Sequence, residues 1–142
     1  MFRFISLLVF LFVTSPAYAN INVTVEKVQS VYDADTFRVD ISGWPDIVGK
    51  NIPIRVNGVD AAEIRGKCTI EKELARAARD YTKTMLQNGR IIELRNIQRG
   101  KYFRLLADVY VDGISLSEAL IHSGHARPYD GGTRQGWCAK HK

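Results

Sequence analysis

Five residues of this sequence have types and spacing suited to chemistry: Asp35, Arg55, Asp60, Glu63 and Arg104. Carboxylate oxygens are the ligands that hard cations such as calcium and magnesium prefer, so Asp35 and Asp60 could share one cation if they converge. Glu63 lies three residues beyond Asp60, close enough to order or deprotonate a water molecule held near that cation. Arg55 and Arg104 could bind a phosphate group. The set therefore favours cation-assisted attack of water on a phosphate.

Each of these residues also has an ordinary structural explanation. Aspartates commonly stabilise turns, so Asp35 could serve only the turn in which it lies. Arg55 could form an ion pair with Asp60 or Asp35, and Glu63 could be a solvated loop residue. Arg104 could be an exposed strand arginine, although Lys101 and Tyr102 precede it and make the cluster cationic and aromatic. Only the combination of these residues favours a catalytic site.

A pattern rich in strands would bring these residues together. Alternating or valine-rich apolar patterns predict five strands, at residues 20–30, 37–41, 52–56, 91–97 and 103–111. Residues 43–49 are expected to form a loop. In the third strand Ile54 and Val56 would point inward and Arg55 outward, and Asn57-Gly58 would end the strand. Asp60 and Glu63 are therefore expected on the loop that follows.

Two helices are predicted. The first begins at Thr69 and ends before Gly89, with one apolar stripe made of Ile70, Leu74, Ala77, Ala78, Tyr81 and Met85. The second begins at the capping box of Ser115 and Glu118 and runs to about Ser123, with Gly124 at its C-terminal cap. Five strands, a long helix after the third and a helix near the end predict an α+β, mainly β fold. Specifically, we expect a five-stranded OB-fold Greek-key barrel with about two helices.

The first 19 residues have the pattern of a secretory signal peptide. An arginine precedes an apolar run, and Ala17-Tyr18-Ala19 places small residues at a cleavage site. Cleavage would release a secreted or periplasmic protein of one domain, residues 20–142, with no membrane segment. A retained N-terminal anchor is the alternative. Removing residues 1–19 lowers the formal net charge from +5 to +4, a mild preference for polyanions that a merely soluble basic domain would share.

Cys68 and Cys138 are the only cysteines in the 142 residues. In an exported chain the expectation is one disulfide between them, whereas free or metal-binding thiols are the alternative. On the loop-entropy model, closing a loop of this size stabilises the fold by roughly 4 kcal/mol at most.

Several of these segments resemble the staphylococcal nuclease (thermonuclease) family, in the correct order from about Val28 to Tyr129. They are residues 33–36, residues 55–63, the helix with Glu73 and Ala77-Ala78, residues 101–104, and Asp112-Gly113 followed by residues 118–120. The resemblance implies an OB-fold, calcium-dependent phosphodiesterase that cuts DNA and RNA with little sequence preference and leaves 3′-phosphate ends.

Roles follow from the resemblance, position by position. Asp35 and Asp60 are expected to be calcium ligands, together with the backbone carbonyl of Ala61. Glu63 would activate the attacking water, and Arg55 and Arg104 would neutralise charge on the phosphate. Lys101, Tyr102 and Tyr129 are expected to contact substrate, and Asp33 would lie just outside the direct ligands.

The sequence also departs from the family pattern. In this sequence Ala34 replaces a glycine of the family pattern, and Phe103 replaces another. Ala61-Ala62 replace a threonine and a proline. The family's long C-terminal helix has no counterpart, and we expect the Cys68–Cys138 disulfide to replace it by holding the tail and the Glu63 loop. No oligomerisation surface is evident, so a monomer is expected. The rival interpretations are a catalytically silent OB-fold module that binds nucleic acid, and an exported domain that uses metal only for stability.

Overall fold

The computed structural model describes residues 21–138. The predicted signal peptide lies outside these residues and stays a prediction. Within residues 21–138, no helix is long and apolar enough to cross a membrane.

Eight strands and three helices make up the described chain. The strands are β1 (Val23–Asp33), β2 (Thr36–Ile41), β3 (Ile52–Val56), β4 (Val59–Ala61), β5 (Ile92–Arg99), β6 (Leu105–Val111), β7 (Ile114–Ser115) and β8 (Ala126–Pro128). The helices are α1 (Asp46–Gly49), α2 (Thr69–Asn88) and α3 (Leu116–His122). The long helix and the capping-box helix are confirmed, and α1 adds one turn inside the segment predicted to be a loop.

Five strands close into a barrel. Antiparallel pairs join β3 to β2, β2 to β1, β1 to β5 and β5 to β6. A parallel pair between β3 and β6, with Ile54 opposite Leu105, completes the circle. The short β7 extends β6 at one edge. The predicted mainly β OB-fold barrel is therefore confirmed.

The barrel interior is filled by the apolar residues of the alternating patterns. Phe37, Ile54 and Leu94 are fully buried, and Leu116 and Leu120 of α3 are buried with them. Arg38 between two buried neighbours is exposed. This alternation is the physical reason that the sequence predicted the strands, because side chains of period two point to opposite faces of a sheet.

The buried face of α2 agrees only in part with the predicted stripe, of which Ala78 is buried and Tyr81 and Met85 pack against the core. Ala75, Ala78, Thr82 and Leu86 are buried, whereas Ile70 and Leu74 are about half exposed. The small alanines face β1, and the Thr82 hydroxyl donates to the Ala34 carbonyl at 2.8 Å. A polar residue thus belongs to the core because its hydroxyl has a buried partner.

Strand β4 was not predicted, and it corrects the expected position of Asp60. Asp60 lies in this strand rather than on a loop, and its backbone is paired with Arg127 of β8. Strands of three residues show too little alternation to be predicted from sequence. At the other end of the fold, β6 begins at Leu105 rather than Phe103, since Tyr102 and Phe103 have positive φ angles of 57° and 59° and form a turn.

Candidate active site

Asp35 lies in the turn between β1 and β2 and is only 3% exposed. Its Oδ2 accepts the backbone N–H of Ala61 at 2.9 Å, and its Oδ1 accepts the Thr36 hydroxyl at 3.1 Å. The N–H of Ala61 ties the turn to β4, so the two predicted metal-binding positions, Asp35 and Asp60, are neighbours in space.

Arg55 projects from β3 toward the same turn. One Nη of its guanidinium forms an ion pair with Asp35, and Nη2 donates to the Val59 carbonyl at 2.9 Å. The side chain is 13% exposed, so this pair is largely shielded from water. The ion pair that the sequence allowed as an alternative is therefore present, and it holds the guanidinium beside the cavity described below.

Asp60 is buried in β4, with 3% of its surface exposed. Its Oδ1 accepts a hydrogen bond from Nε of Arg134 at 2.5 Å, and its Oδ2 accepts the indole N–H of Trp137 at 3.3 Å. Both oxygens of this acid are thus occupied by the C-terminal segment of the chain.

Glu63 follows β4 on a loop, and 47% of its side chain is exposed. Nη1 of Arg134 donates to its Oε1 at 2.6 Å. Nearby Asp33 accepts the Ile64 N–H at 2.9 Å. Burial is the largest effect on Asp33, and with the charges of Asp35 and Glu63 it raises the pKa of that carboxyl above its usual value. The Ile64 N–H and Arg55 oppose this rise.

One surface cavity of about 350 Å³ joins most of these groups. It is lined by Tyr32, Asp33, Asp35, Thr36, Arg55, Glu63, Arg104, Tyr129 and Arg134. The structure therefore brings Asp35, Arg55, Glu63, Arg104 and Tyr129 to one place, as the assigned roles require. Asp60 lines the two adjoining cavities, of about 420 and 380 Å³.

Lys101 and Tyr102 lie outside the lining of all three of these cavities. They occupy the exposed turn before β6, where Tyr102 is 92% exposed and Phe103 81% exposed. The Arg99 guanidinium covers the Phe103 ring, with its carbon 4.9 Å from the ring centroid. Substrate contact by Lys101 and Tyr102 therefore stays a prediction.

The two predicted calcium-binding carboxylates, Asp35 and Asp60, and the predicted catalytic acid Glu63 do not form a compact group of cation ligands in the described part of the chain. Within residues 21–138, oxygens of Asp35, Asp60 and Glu63 do not all lie within 4.8 Å of one another. The physical reason is that Asp35 is paired with Arg55, and the other two with Arg134. The available donors are nonetheless all oxygens, counting the Ala61 carbonyl, and this chemistry fits a hard divalent cation.

The one compact group of potential ligands within residues 21–138 is Cys68, Glu71 and Cys138. Cys68 and Cys138 form a disulfide, with their Cα atoms 6.0 Å apart, so the thiolates that a metal would need are absent. The predicted pairing of the two cysteines is confirmed. Cys68 is also the N-terminal cap of α2, which ties the tail to the start of that helix.

Residues 129–138, which we call the tail strap, carry the functional residue that sequence reasoning missed. Arg134 lines all three cavities and contacts both Asp60 and Glu63. Burial lowers the pKa of its guanidinium, but the hydrogen bonds to Glu63 and Asp60 outweigh burial and the pKa is raised. Arg134 lies 74 positions from Asp60, in a glycine-rich segment without periodicity, so no local pattern marked it.

Comparisons with known proteins agree with this geometry. The family model of the Staphylococcal nuclease homologue matches residues 53–140. Endonuclease YncB of Bacillus subtilis (strain 168) is 33% identical over 109 residues, which cover 75% of this chain and 47% of that protein. Thermonuclease of Staphylococcus hyicus is 32% identical over 114 residues, 80% of this chain and 64% of that protein. SPbeta prophage-derived endonuclease YokF of B. subtilis (strain 168) is 31% identical over 109 residues.

The matched segments span only about a third to two thirds of the lengths of these relatives. The match nevertheless covers more than half of this chain and includes the barrel strand of Arg55, the Glu63 loop, Arg104 and the tail strap. Together with the closed five-stranded barrel, it leads to one conclusion: the chain belongs to the staphylococcal nuclease family.

Proposed function

We propose that this protein is a calcium-dependent nuclease that hydrolyses phosphodiester bonds of DNA and RNA with little sequence preference and leaves 3′-phosphate ends. The observation that carries the proposal is the shared cavity in which Arg55, Arg104 and Glu63 meet beside buried Asp35. Basic groups that bind phosphate and an exposed acid beside them are what hydrolysis of a phosphate diester requires. The names of the nuclease relatives support the same activity.

Asp35, Asp60 and the Ala61 carbonyl would hold the cation, with Glu63 beside it. When bound, calcium would supply positive charge that stabilises negative charge developing on the phosphate. Glu63 orders and deprotonates the attacking water, a role that suits a carboxylate open to solvent. Arg55 and Arg104 donate N–H groups to the non-bridging phosphate oxygens as their charge grows. Cleavage of the bond to the 5′ oxygen leaves the phosphate on the 3′ end.

The cavity opens at the surface and is lined by charged and polar side chains rather than by base-reading pockets. Contacts to the phosphate backbone carry no sequence information, which supports low sequence preference. A single strand passing the exposed Tyr102 and Phe103 rings could stack its bases on them whatever their identity.

The test is digestion by the purified, oxidised protein. Single-stranded DNA, duplex DNA and RNA are each incubated in calcium, in magnesium and in chelator, beside a Glu63→Gln control. We expect cutting in calcium, none in chelator, and loss of cutting in the control. Product ends are identified by their resistance to a 3′ exonuclease before phosphatase treatment and sensitivity after it.

The rival function is a catalytically silent module that binds nucleic acid. The pairing of Asp35, Asp60 and Glu63 with arginines favours it in one respect, because these acids need no cation to be stable. Glu63 argues against it, since an exposed acid beside bound phosphate would repel a ligand that is only to be held. Intact nucleic acid that migrates with the protein in every lane would make the rival the better description.

We also propose that the protein acts as a monomer outside the cytoplasm, secreted or periplasmic. Its disulfide supports a location outside the cytoplasm, because such bonds persist in oxidising compartments. N-terminal sequencing of the protein recovered from extracellular or periplasmic fractions should begin at Asn20. Recovery only from the cytoplasm would contradict the proposal.

A further inference from the structure

The tail strap is anchored at both of its ends. At one end the Tyr129 N–H donates to the Gly58 carbonyl at 2.9 Å. At the other end Cys138 is covalently bound to Cys68. Between these anchors Arg134 lines the cavity, so its backbone stays beside the acids when its side chain moves.

Arg134 is the strap residue that faces the acids. It donates to Asp60 from Nε and Nη2 and to Glu63 from Nη1, so one guanidinium contacts two acids that lie on different elements. Trp137 holds the strap in the same place, through its indole N–H on Asp60 and the Arg127 guanidinium stacked 3.7 Å from its ring centroid. The contact is therefore supported by neighbours and is not a chance surface ion pair.

These contacts compete with the role assigned to the same acids. Oδ1 of Asp60 cannot accept the guanidinium and hold a divalent cation at the same time, and Oε1 of Glu63 cannot accept it and also accept a proton from the attacking water. Arg134 must withdraw when a cation binds, but its anchored backbone prevents it from leaving the site. Arg134 also lines the cavity shared by Arg55 and Arg104, so a guanidinium that withdraws from the acids stays within reach of a phosphate bound there.

We propose that Arg134 is a substrate-binding residue with two alternating partners: Asp60 and Glu63 before a cation binds, and a phosphate next to the scissile one afterwards. The planar guanidinium forms paired hydrogen bonds with carboxylates and with phosphates alike, so the exchange replaces one pair of hydrogen bonds by a similar pair. Arg134 thus lowers cation affinity while no substrate is present and raises affinity for the nucleic-acid strand. The proposal rests on the proposed function.

The first experiment measures calcium binding by titration calorimetry without nucleic acid. Arg134→Ala is compared with wild type and with Arg76→Ala, which removes the same charge from an exposed position of α2 away from the cavities. We expect Arg134→Ala to bind calcium about tenfold more tightly, a change that corresponds to about 1.4 kcal/mol. Equal affinities in the two variants would overturn the competition with the cation.

The second experiment measures binding of single-stranded DNA in calcium, with Glu63→Gln present in every protein so that the strand stays intact. Adding Arg134→Ala should weaken binding and reduce the slope of log affinity against log salt by about 0.7, the value for one phosphate contact on a single strand. Adding Arg76→Ala should change neither. An unchanged slope with Arg134→Ala would overturn the phosphate contact.

Turnover separates this inference from the proposed function. In otherwise wild-type protein, Arg134→Ala should raise KM severalfold with a smaller change in kcat, because the contact positions a flanking phosphate. If wild type cuts nothing, the proposed function fails, whereas calorimetry still tests Arg134. Should Arg134→Ala not fold, as judged by thermal melting, Arg134→Lys serves instead. It keeps the charge but not the paired contact, and calcium and DNA affinities equal to wild type would overturn the proposal.

Discussion

The two halves of the site are built differently. Asp35 and Arg55 belong to the barrel: they lie on the β1–β2 turn and on β3, and backbone groups of Ala61 and Val59 hold them in place. Asp60 and Glu63 depend instead on Arg134, which comes from an irregular strap joined to the fold by a disulfide. The barrel therefore positions Asp35 and Arg55, whereas the strap supplies the side-chain partners of Asp60 and Glu63.

The largest expected effect comes from the groups that act on the phosphate. Glu63→Gln or Arg104→Ala should lower turnover by at least about a hundredfold with folding intact, the scale for losing one preorganised electrostatic contact. Initial rates on single-stranded DNA in calcium provide the measurement, and Arg76→Ala provides the charge control. Turnover near wild type in either variant would mean that the catalytic groups are misassigned.

The disulfide should have the next largest effect. Replacing both Cys68 and Cys138 by serine should lower the melting temperature by more than about 10 °C, since the bond closes a long loop and stabilises by up to roughly 4 kcal/mol. Wild type in reductant should melt at the same lower temperature, and reductant should not affect the double variant. A change within error would show that the strap is held without the bond.

A smaller effect tests how firmly the barrel half is held. Thr82→Val removes the hydroxyl that donates to the Ala34 carbonyl, inside the turn that carries Asp33 and Asp35. Leaving that buried carbonyl without a donor should lower the free energy of unfolding in urea by about 1–3 kcal/mol. Thr84→Val, at an exposed position of the same helix, is the matched control and should have little effect. Equal stabilities for both variants would contradict the role of Thr82.

The smallest expected effect is a pH dependence of the folding stability that arises from Asp40, a residue of barrel strand β2. The Asn51 N–H is the largest cause that keeps the pKa of Asp40 below its usual value, and Gln29 and nearby lysines assist it. Its folded-state pKa therefore lies below the unfolded one. The stabilisation is present above the unfolded-state pKa and is lost as pH falls through the folded-state pKa. Asp40→Asn should lower the melting temperature by a few degrees at neutral pH and flatten its acidic decline.

Exposed Asp80→Asn is the control for Asp40→Asn and should leave the melting profile unchanged. If the melting temperatures of both variants fall with decreasing pH as that of wild type does, the contacts of Asp40 do not contribute to the pH dependence. Nuclease activity should respond little to either substitution, because neither carboxylate lines the cavities at the site.

Some features were predictable because short-range sequence patterns specify them. The alternation around Phe37, Ile54 and Val109 predicted strands, and Ser115 and Glu118 predicted the start of α3, whose Glu118 N–H donates to the Ser115 hydroxyl at 3.4 Å. The long helix was predicted, but its buried face only in part: Ala78 is buried and Met85 packs against the core as expected. Ile70 and Leu74 are as apolar as a core stripe requires, and only packing against β1 selected the face with Ala75 and Thr82 instead.

By itself the sequence determined the approximate barrel strands, the ends of α2 and α3, the set of acids and arginines, and the single pairing that two cysteines allow. The tertiary structure decided which acid forms an ion pair with which arginine. Asp60 and Arg134 are 74 positions apart, and their contact exists because β4 pairs with β8 and Cys138 returns the strap to α2. Local patterns carry no information on such contacts, because ion pairing follows from the path of the whole chain in space.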